Sequence, residues 1–169
     1  MKSVNKPKTT TILFTRHAVA MDHDIAQKRK VSDPDRPLTK PGIKEFKQNI
    51  KRRKKLLKKT DLFLSSPYLR ARQTLALILK LKSARKHKAK IFKFIRHDDS
   101  PSHFLNWIQK TSHKKIVAVS HEPYMSHFMK ALFKTKWKPV KIKKGQIIRI
   151  TLSPDKKSYK IMGYKKTAQ

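Results

Sequence analysis

The stretch ILFTRHAVA, residues 12–20, joins a short apolar run to an arginine and a histidine. The run from Thr10 to Thr15 is β-branched and apolar without clean alternation, which is typical of a strand covered on both faces, as in a parallel sheet. Such a strand has little use for two polar side chains along its length. We therefore expect Arg16 and His17 to emerge at the end of the strand, where a cleft could hold them.

Further apolar runs alternate with helical patterns along the chain. Strands are predicted at residues 61–65, 91–95 and 116–120. Helices are predicted from Thr39 to about 59, from Ser66 through 79, around 104–109 and from 124 to about 133, with a loop over 21–36. The tail from 141 predicts antiparallel strands that end near 164. This order favours an α/β fold with a mostly parallel sheet, helices on both faces and an antiparallel edge near the C-terminus.

Length and composition bound the possibilities. A chain of 169 residues suits one domain over 1–169, with residues 1–9 and 165–169 expected to be flexible. Lys and Arg number 44 against 10 Asp and Glu, and a net charge of +34 favours phosphates, nucleic acid, anionic lipid or other polyanions as partners. The absence of cysteine excludes a disulfide framework and a thiolate nucleophile. No apolar run approaches the roughly 20 residues of a membrane span, so we expect a soluble, cytoplasmic protein.

Three predicted strand ends carry polar residues of related chemistry. The first strand ends in Arg16 and His17, the second leads to Arg70 one turn into a helix, and the strand at 116–120 ends in His121. Ligands of open α/β sheets bind at the carboxyl ends of the strands. Two imidazoles and two guanidiniums are therefore expected to converge on one pocket.

Such a pocket suits a phosphoryl group. Guanidiniums present forked donors that match phosphate oxygens, and helix N-termini add backbone N–H groups. A neutral imidazole can attack phosphorus to form a phosphohistidine, which water then hydrolyses. Nearby guanidiniums lower the pKa of the imidazole and keep it nucleophilic. Because cationic side chains neutralise the phosphoryl charge, we expect neither a metal nor a cofactor.

Four stretches carry a resemblance to a known family, namely TRHA at 15–18, RPLTKPG at 36–42, SSPYLRARQT at 65–74 and VSHEP at 119–123. Through them the chain resembles the histidine phosphatase superfamily, in particular its short SixA-type phosphohistidine phosphatases. The resemblance implies a three-layer α/β/α sandwich of the phosphoglycerate mutase-like kind. It also implies catalysis through a covalent phosphohistidine.

The resemblance assigns roles to particular residues. His17 would be the nucleophile, and Arg16 and Arg70 would clamp the phosphoryl oxygens. His121 would contact the same group and stabilise charge in the transition state. Arg36 resembles an additional contact on the phosphate side.

The chain departs from the family pattern at two points. Ala18 stands where the family usually has glycine, so the turn must form without a positive φ. Larger relatives use an acidic residue as proton donor, and the candidates here are Asp98 and Asp99, with Asp98 preferred. Asp98 could equally be a simple turn residue, since a phosphoramidate leaving group can be protonated without a dedicated acid.

Three functions remain open at this point. The favoured one is a metal-independent phosphatase acting on a phosphohistidine-bearing protein, because the chain is too short for the cap domain with which larger relatives enclose small metabolites. The second is a phosphatase of small phosphoesters or nucleotides. The third is a basic nucleic-acid-binding module with a vestigial pocket, whose affinity would fall steeply with salt. No nucleic-acid-binding motif supports the third, and the sequence does not indicate an oligomeric state.

Overall fold

The computed structural model describes residues 9–81, 87–134, 141–153 and 159–162. The ends that were predicted to be flexible lie outside these residues, except for Thr9. Six strands are found in the described residues: β1 (Thr10–Arg16), β2 (Leu62–Ser65), β3 (Lys90–Ile91), β4 (Lys115–Ser120), β5 (Ile147–Leu152) and β6 (Tyr159–Met162). They form one sheet in the order β3-β2-β4-β1-β5-β6.

The pairing confirms a mostly parallel sheet with an antiparallel edge. Strands β1 and β2 each run parallel to β4, and β3 runs parallel to β2. Strand β5 runs antiparallel to β1, and β6 runs antiparallel to β5. In the central β1–β4 ladder, Arg16 is the register partner of Ser120. The residues that follow these two partners, His17 and His121, therefore leave the sheet side by side.

Five α-helices cover the two faces of the sheet in the described residues: α1 (His23–Lys28), α2 (Lys40–Arg52), α3 (Leu69–Leu79), α4 (Pro101–Lys110) and α5 (Tyr124–Phe133). One core unites Leu13 of β1 with α2 and α3, and the other unites Phe14 of β1 with α4 and α5. Neighbouring residues of β1 thus point to opposite faces, as strand geometry requires. The three-layer α/β/α architecture is confirmed.

The third strand was predicted too long. Only Lys90 and Ile91 pair with β2, and residues 93–95 form a 3₁₀ turn. The apolar side chains of this run pack on α4 instead, with the Phe92 ring 5.1 Å from Trp107. The run is apolar because it packs on a helix. Its apolar composition therefore did not indicate how many of its residues pair as a strand.

Two helix predictions also need correction. The predicted loop over 21–36 contains α1, whose first turn is capped by the Asp22 side chain, and a 3₁₀ turn at Asp33–Asp35 with Pro34 as its second residue. Helix α2 ends at Arg52 and not near 59, because the chain tightens into a 3₁₀ turn that buries Leu57.

The start of α2 is fixed against the segment that follows β1. The side chain of Thr39 accepts a hydrogen bond from the Gly42 backbone N–H at 3.1 Å, which caps the helix. A Cβ at residue 42 would lie 2.3 Å from the carbonyl oxygen of Val19. Glycine therefore permits the close approach that holds α2 beside the carboxyl end of β1.

Candidate active site

The pocket at the carboxyl ends of β1 and β4 brings the two predicted histidines together. The ring centroids of His17 and His121 are 5.1 Å apart. The residues are 6% and 1% exposed, respectively. The ladder between β1 and β4 brings the two histidines together. One further hydrogen bond continues this ladder, because the His17 backbone N–H donates to the Ser120 carbonyl at 3.0 Å.

His17 is held as a neutral ring with one free nitrogen. Its Nδ1 lies 2.7 Å from the Ala18 carbonyl oxygen. Because a carbonyl only accepts, Nδ1 carries the proton and Nε2 keeps its lone pair. Burial lowers the pKa of His17 to about 3, and the charges of Arg70 and Arg16 add to this effect against the opposing hydrogen bond to Ala18. The ring is therefore neutral at neutral pH, and its Nε2 is nucleophilic.

His121 is oriented by a residue of the short connection between β2 and α3. Its Nε2 lies 2.8 Å from the Ser66 hydroxyl oxygen, while its Nδ1 is buried without a partner. Burial lowers the pKa of His121 well below its usual range, and the charge of the neighbouring Arg70 acts in the same direction. A second neutral imidazole thus faces the first, with one ring nitrogen available to a ligand.

Arg70 is 4% exposed and is anchored by Asp33. Its Nη1 donates to the Asp33 carbonyl at 2.6 Å, and its Nη2 donates to the Asp33 carboxylate at 3.1 Å. The guanidinium also lies over the Tyr68 ring, 4.8 Å from the centroid. These contacts fix the plane of the Arg70 guanidinium through its two Nη atoms. The Nε of Arg70 is buried without a partner.

Arg36 is held by the same carboxylate. Its Nε donates to Asp33 Oδ1 at 2.8 Å, and its Nη1 donates to the Met21 carbonyl. Burial alone would raise the pKa of Asp33, but the hydrogen bonds and charges of Arg36 and Arg70 outweigh burial and lower that pKa. Asp33 is therefore the ionised counter-charge that joins two of the predicted arginines.

Arg16 approaches from the other side of the sheet. Its Nη1 donates to the Ile142 carbonyl at 2.6 Å, and its Nε is buried without a partner. Together with Arg70 Nε and His121 Nδ1, this makes three buried nitrogens of the candidate site that no described residue satisfies. Buried polar groups normally have partners, so three such nitrogens beside a neutral histidine fit a bound oxyanion.

Ala18 occupies the turn without a positive φ, as expected. Among described residues other than glycine, positive φ occurs at Lys30, Lys59 and Lys134 only. The Ala18 backbone N–H donates to the Thr74 hydroxyl at 3.0 Å, which ties the turn to α3.

Among the described residues, Asp98 forms no hydrogen bond or ion pair with His17 or His121. Its carboxylate is half-exposed, and its nearest charged partners are Arg96 at 3.6 Å and His97 at 3.8 Å. Asp99 instead accepts from the Arg96 backbone N–H at 2.6 Å. The structure thus brings together Arg16, His17, Arg70 and His121, attaches Arg36 through Asp33, and leaves Asp98 on the rim.

Sequence reasoning missed the supporting residues Asp33, Ser66 and Thr74. Asp33 gave a usable signal, because it is one of 10 acidic residues in a strongly basic chain and precedes Arg36 by three positions. Ser66 lay within a motif without a role of its own. Thr74 is one helical turn from Arg70, to whose carbonyl its hydroxyl donates, and no local pattern marks that contact.

The described residues contain no group of three or more His, Cys, Asp or Glu side chains that could hold a metal ion. No helix within them has the length and apolarity needed to cross a membrane.

An α/β sandwich with a histidine pair and arginines at its strand ends has the features of the class of phosphoryl-transfer proteins. The model of the histidine phosphatase superfamily (branch 1) matches residues 12–92. An uncharacterized protein of Picosynechococcus sp. is 33% identical over 125 residues, covering 72% of each chain. The chain belongs to the histidine phosphatase superfamily, which comprises phosphatases and mutases.

Solved structures agree on the fold. The protein histidine phosphatase SixA in complex with tungstate superposes with a TM-score of 0.73 at 22% identity, covering 90% of this chain and 94% of that one. A phosphoglycerate mutase from Bacillus anthracis superposes with a TM-score of 0.71 at 14% identity, covering 94% and 93%. The phosphoglycerate mutase-like architecture expected from the sequence is thus confirmed.

Proposed function

We propose that this protein is a metal-independent, SixA-type phosphohistidine phosphatase that removes the phosphoryl group from a histidine of a partner protein through a covalent intermediate on His17. The observation that carries the proposal is the set of unpartnered buried nitrogens on Arg16, Arg70 and His121 beside a neutral His17. Two guanidiniums and a ring nitrogen are the donors that the equatorial oxygens of a transferring phosphoryl group require.

In the first step, the Nε2 lone pair of His17 attacks phosphorus. The bond between phosphorus and the substrate nitrogen breaks, and the leaving imidazole keeps the electron pair and takes up a proton from water or from Asp98 at the rim. Arg16, Arg70 and His121 hold the three equatorial oxygens during this displacement. The product is a phosphoryl group bonded to His17.

In the second step, water attacks the phosphohistidine in line with the His17 nitrogen. The bond from phosphorus to Nε2 breaks, inorganic phosphate leaves, and His17 returns with its lone pair. Retention of the proton on Nδ1 by the Ala18 carbonyl keeps the ring in the same tautomer through both steps.

The burial of the candidate site supports a protein substrate. Both histidines and Arg70 are nearly buried, so a substrate would reach them with its phosphoryl group first. The longest connection at this edge of the sheet is residues 17–39, which carries only α1 and the Asp33–Asp35 turn. A phosphohistidine displayed on a partner's surface can reach such a pocket, in which Arg36 would be a further contact on the phosphate side.

The first experiment tests the covalent mechanism. The purified protein should hydrolyse an aryl phosphate in the presence of EDTA, and acid-quenched mass spectrometry should find a phosphoryl group on His17. His17→Asn should abolish both signals, while His127→Asn, which alters an exposed histidine of α5, should leave them unchanged. Activity that survives in His17→Asn would remove His17 from the mechanism.

The second experiment tests the substrate class. Specificity constants are compared for a phosphohistidine-bearing protein domain, the same domain phosphorylated on serine, a sugar phosphate and a nucleotide. The proposal requires the phosphohistidine protein to have the highest kcat/KM. A clear preference for a small ester would keep the covalent mechanism and overturn the proposed substrate.

A further inference from the structure

Helix α2 and the turn that follows it carry an unusual concentration of positive charge. Half of the twenty residues 40–59 are Lys or Arg, compared with 44 of 169 in the whole chain, and Glu45 is the single acidic residue among them. All ten cations are exposed: Lys40, Lys44, Lys47, Lys51, Arg52, Arg53, Lys54, Lys55, Lys58 and Lys59. The enrichment is therefore local and stands out even in a strongly basic protein.

Four of these cations form a line, which we call the lysine stripe: Lys40, Lys44, Lys47 and Lys51. Separations of four, three and four residues place the four lysines on one face of the helix. At 1.5 Å per residue the stripe is about 16 Å long. The buried side chains Phe46 and Ile50 hold α2 against the sheet and keep the stripe facing solvent.

The requirements of folding do not explain the stripe. Like charges at these spacings destabilise a helix. Within the described part of the chain, no carboxylate forms an ion pair with any cation of residues 40–59. The stripe thus costs helix stability and has no intramolecular counter-charge in the part that the structure describes.

The surroundings of the stripe provide room for an extended ligand. Gln48, Lys51, Arg52 and Lys54 border a shallow surface groove of about 460 Å³ at the end of α2. The other end of α2 begins beside Val19, whose carbonyl accepts from the Thr39 backbone N–H, two residues after His17. The lysine stripe therefore runs from the edge of the sheet that holds the pocket toward the opposite edge.

We infer that the lysine stripe and its groove bind the phosphodiester backbone of a nucleic acid, without reading base sequence. Lys and Arg side chains supply most backbone contacts in such complexes, and each neutralised phosphate releases counterions. A protein partner fits less well, because stable protein interfaces are depleted in lysine and rely on aromatic or apolar anchors. Among the described residues, the exposed large apolar side chains are Ile25, Ile91 and Phe94, and all three lie outside α2.

The test measures binding of a short fluorescein-labelled DNA duplex of mixed sequence by anisotropy, with NaCl from about 50 to 200 mM. Lys40, Lys44, Lys47 and Lys51 are changed together to Gln, which removes charge and the repulsion within the helix while keeping helix propensity. We expect affinity to fall at least about tenfold and the slope of log K against log salt to become shallower by about three to four. A single-stranded RNA probe of equal length shows which nucleic acid the surface prefers.

A variant of equal net charge provides the control. Lys93, Lys110, Lys114 and Lys130 are exposed residues outside α2, and their joint replacement by Gln should change the slope by less than about one. Equal losses in the two variants would overturn the proposal, because binding would then reflect overall charge. Displacement of the duplex by polyglutamate as readily as by unlabelled duplex would also overturn it and indicate an acidic protein partner.

The stripe is separate from the phosphoryl pocket, so the two proposals fail independently. Both fourfold variants should hydrolyse an aryl phosphate at the wild-type rate. Loss of that activity in the stripe variant alone would contradict the separation. Nucleic-acid binding that is unchanged in His17→Asn would support the stripe proposal, whichever residue carries out catalysis.

Discussion

Among single side chains, Asp33 has the widest effect on the pocket, because one carboxylate holds both Arg36 and Arg70. An arginine that must meet a phosphoryl group in one orientation gains from a partner that fixes its plane before substrate arrives. Asp33 touches neither histidine, so it acts on the reaction by positioning Arg70.

Asp33→Asn should lower kcat/KM for an aryl phosphate by about ten- to a hundredfold, because the amide holds Arg70 less firmly. Steady-state kinetics and vanadate inhibition measure the effect, and Asp33→Glu should recover part of the loss. Asp35→Asn is the matched control, since Asp35 is exposed in the same turn and accepts only from the Ser32 hydroxyl. Equal kinetics for the two asparagine variants would show that the ion pair has no positioning role.

The two buried histidines predict a particular pH dependence of stability. An unfolded chain protonates its histidines near pH 6.5, whereas folded His17 does so only near 3. The unfolded state therefore binds more protons below 6.5, and stability that is complete above 6.5 is lost as pH falls toward 3. Each histidine contributes a slope of up to about 1.4 kcal/mol per pH unit in this window.

Chemical denaturation between pH 7.5 and 4.5 measures this slope. His121→Gln should show a shallower loss of unfolding free energy on acidification than the wild type, because one buried imidazole has been removed. Saturating phosphate should protect the wild type at low pH, since the bound anion compensates a protonated ring. An unchanged slope in His121→Gln would contradict the neutral, buried state assigned to that histidine.

At the scale of elements, the start of α2 shows how one residue sets the position of a helix. Replacing Gly42 by alanine should favour the helix by up to about 1 kcal/mol through propensity alone. The added Cβ would nevertheless meet backbone at Val19, 2.3 Å away, and relieving that overlap costs about 1–3 kcal/mol.

Gly42→Ala should therefore lower the free energy of unfolding in urea and reduce activity, because the segment after His17 must move. Gln48→Ala, at an exposed position of the same helix, should change stability by less than about 0.5 kcal/mol. Stabilisation by Gly42→Ala would mean that propensity outweighs the overlap.

The sequence predicted elements well where burial and periodicity agreed. Strand β4 was predicted from its continuous apolar run because both of its faces are covered, and α5 was predicted with its observed bounds. The run at 91–95 misled because a strand and a segment packed on a helix need the same apolar side chains. Helix α1 was missed because its six residues bury only Ala26 and owe their start to a cap.

The site was predictable to the same degree. Residues that end strands can be located from sequence, so Arg16, His17, Arg70 and His121 were expected to meet. The contacts of Asp33 with Arg70 and of Ser66 with His121 join distant segments through single hydrogen bonds. No periodicity encodes such contacts, so they are evident only in the folded structure.

At the scale of the whole molecule, a net charge of +34 on 169 residues sets cations against one another throughout the surface. Self-repulsion of this kind destabilises a compact state and is screened by salt over about 10 Å at 0.1 M.

Thermal unfolding in increasing NaCl should therefore show a rising Tm that levels off once screening is complete. Nucleic-acid affinity should move in the opposite direction over the same range. A Tm independent of salt would indicate that the surface charges are spaced too widely to repel one another.

The parallel ladder between β1 and β4 has a consequence for how activity is acquired. Because adjacent positions of a strand face opposite sides, a slip of one residue would turn the two imidazoles away from each other while leaving much of the sheet hydrogen-bonded. Turnover thus reports alignment of the two central strands and not mere compaction. In refolding, recovered catalysis should coincide with the slowest-exchanging amides of this ladder, and helix content should return earlier.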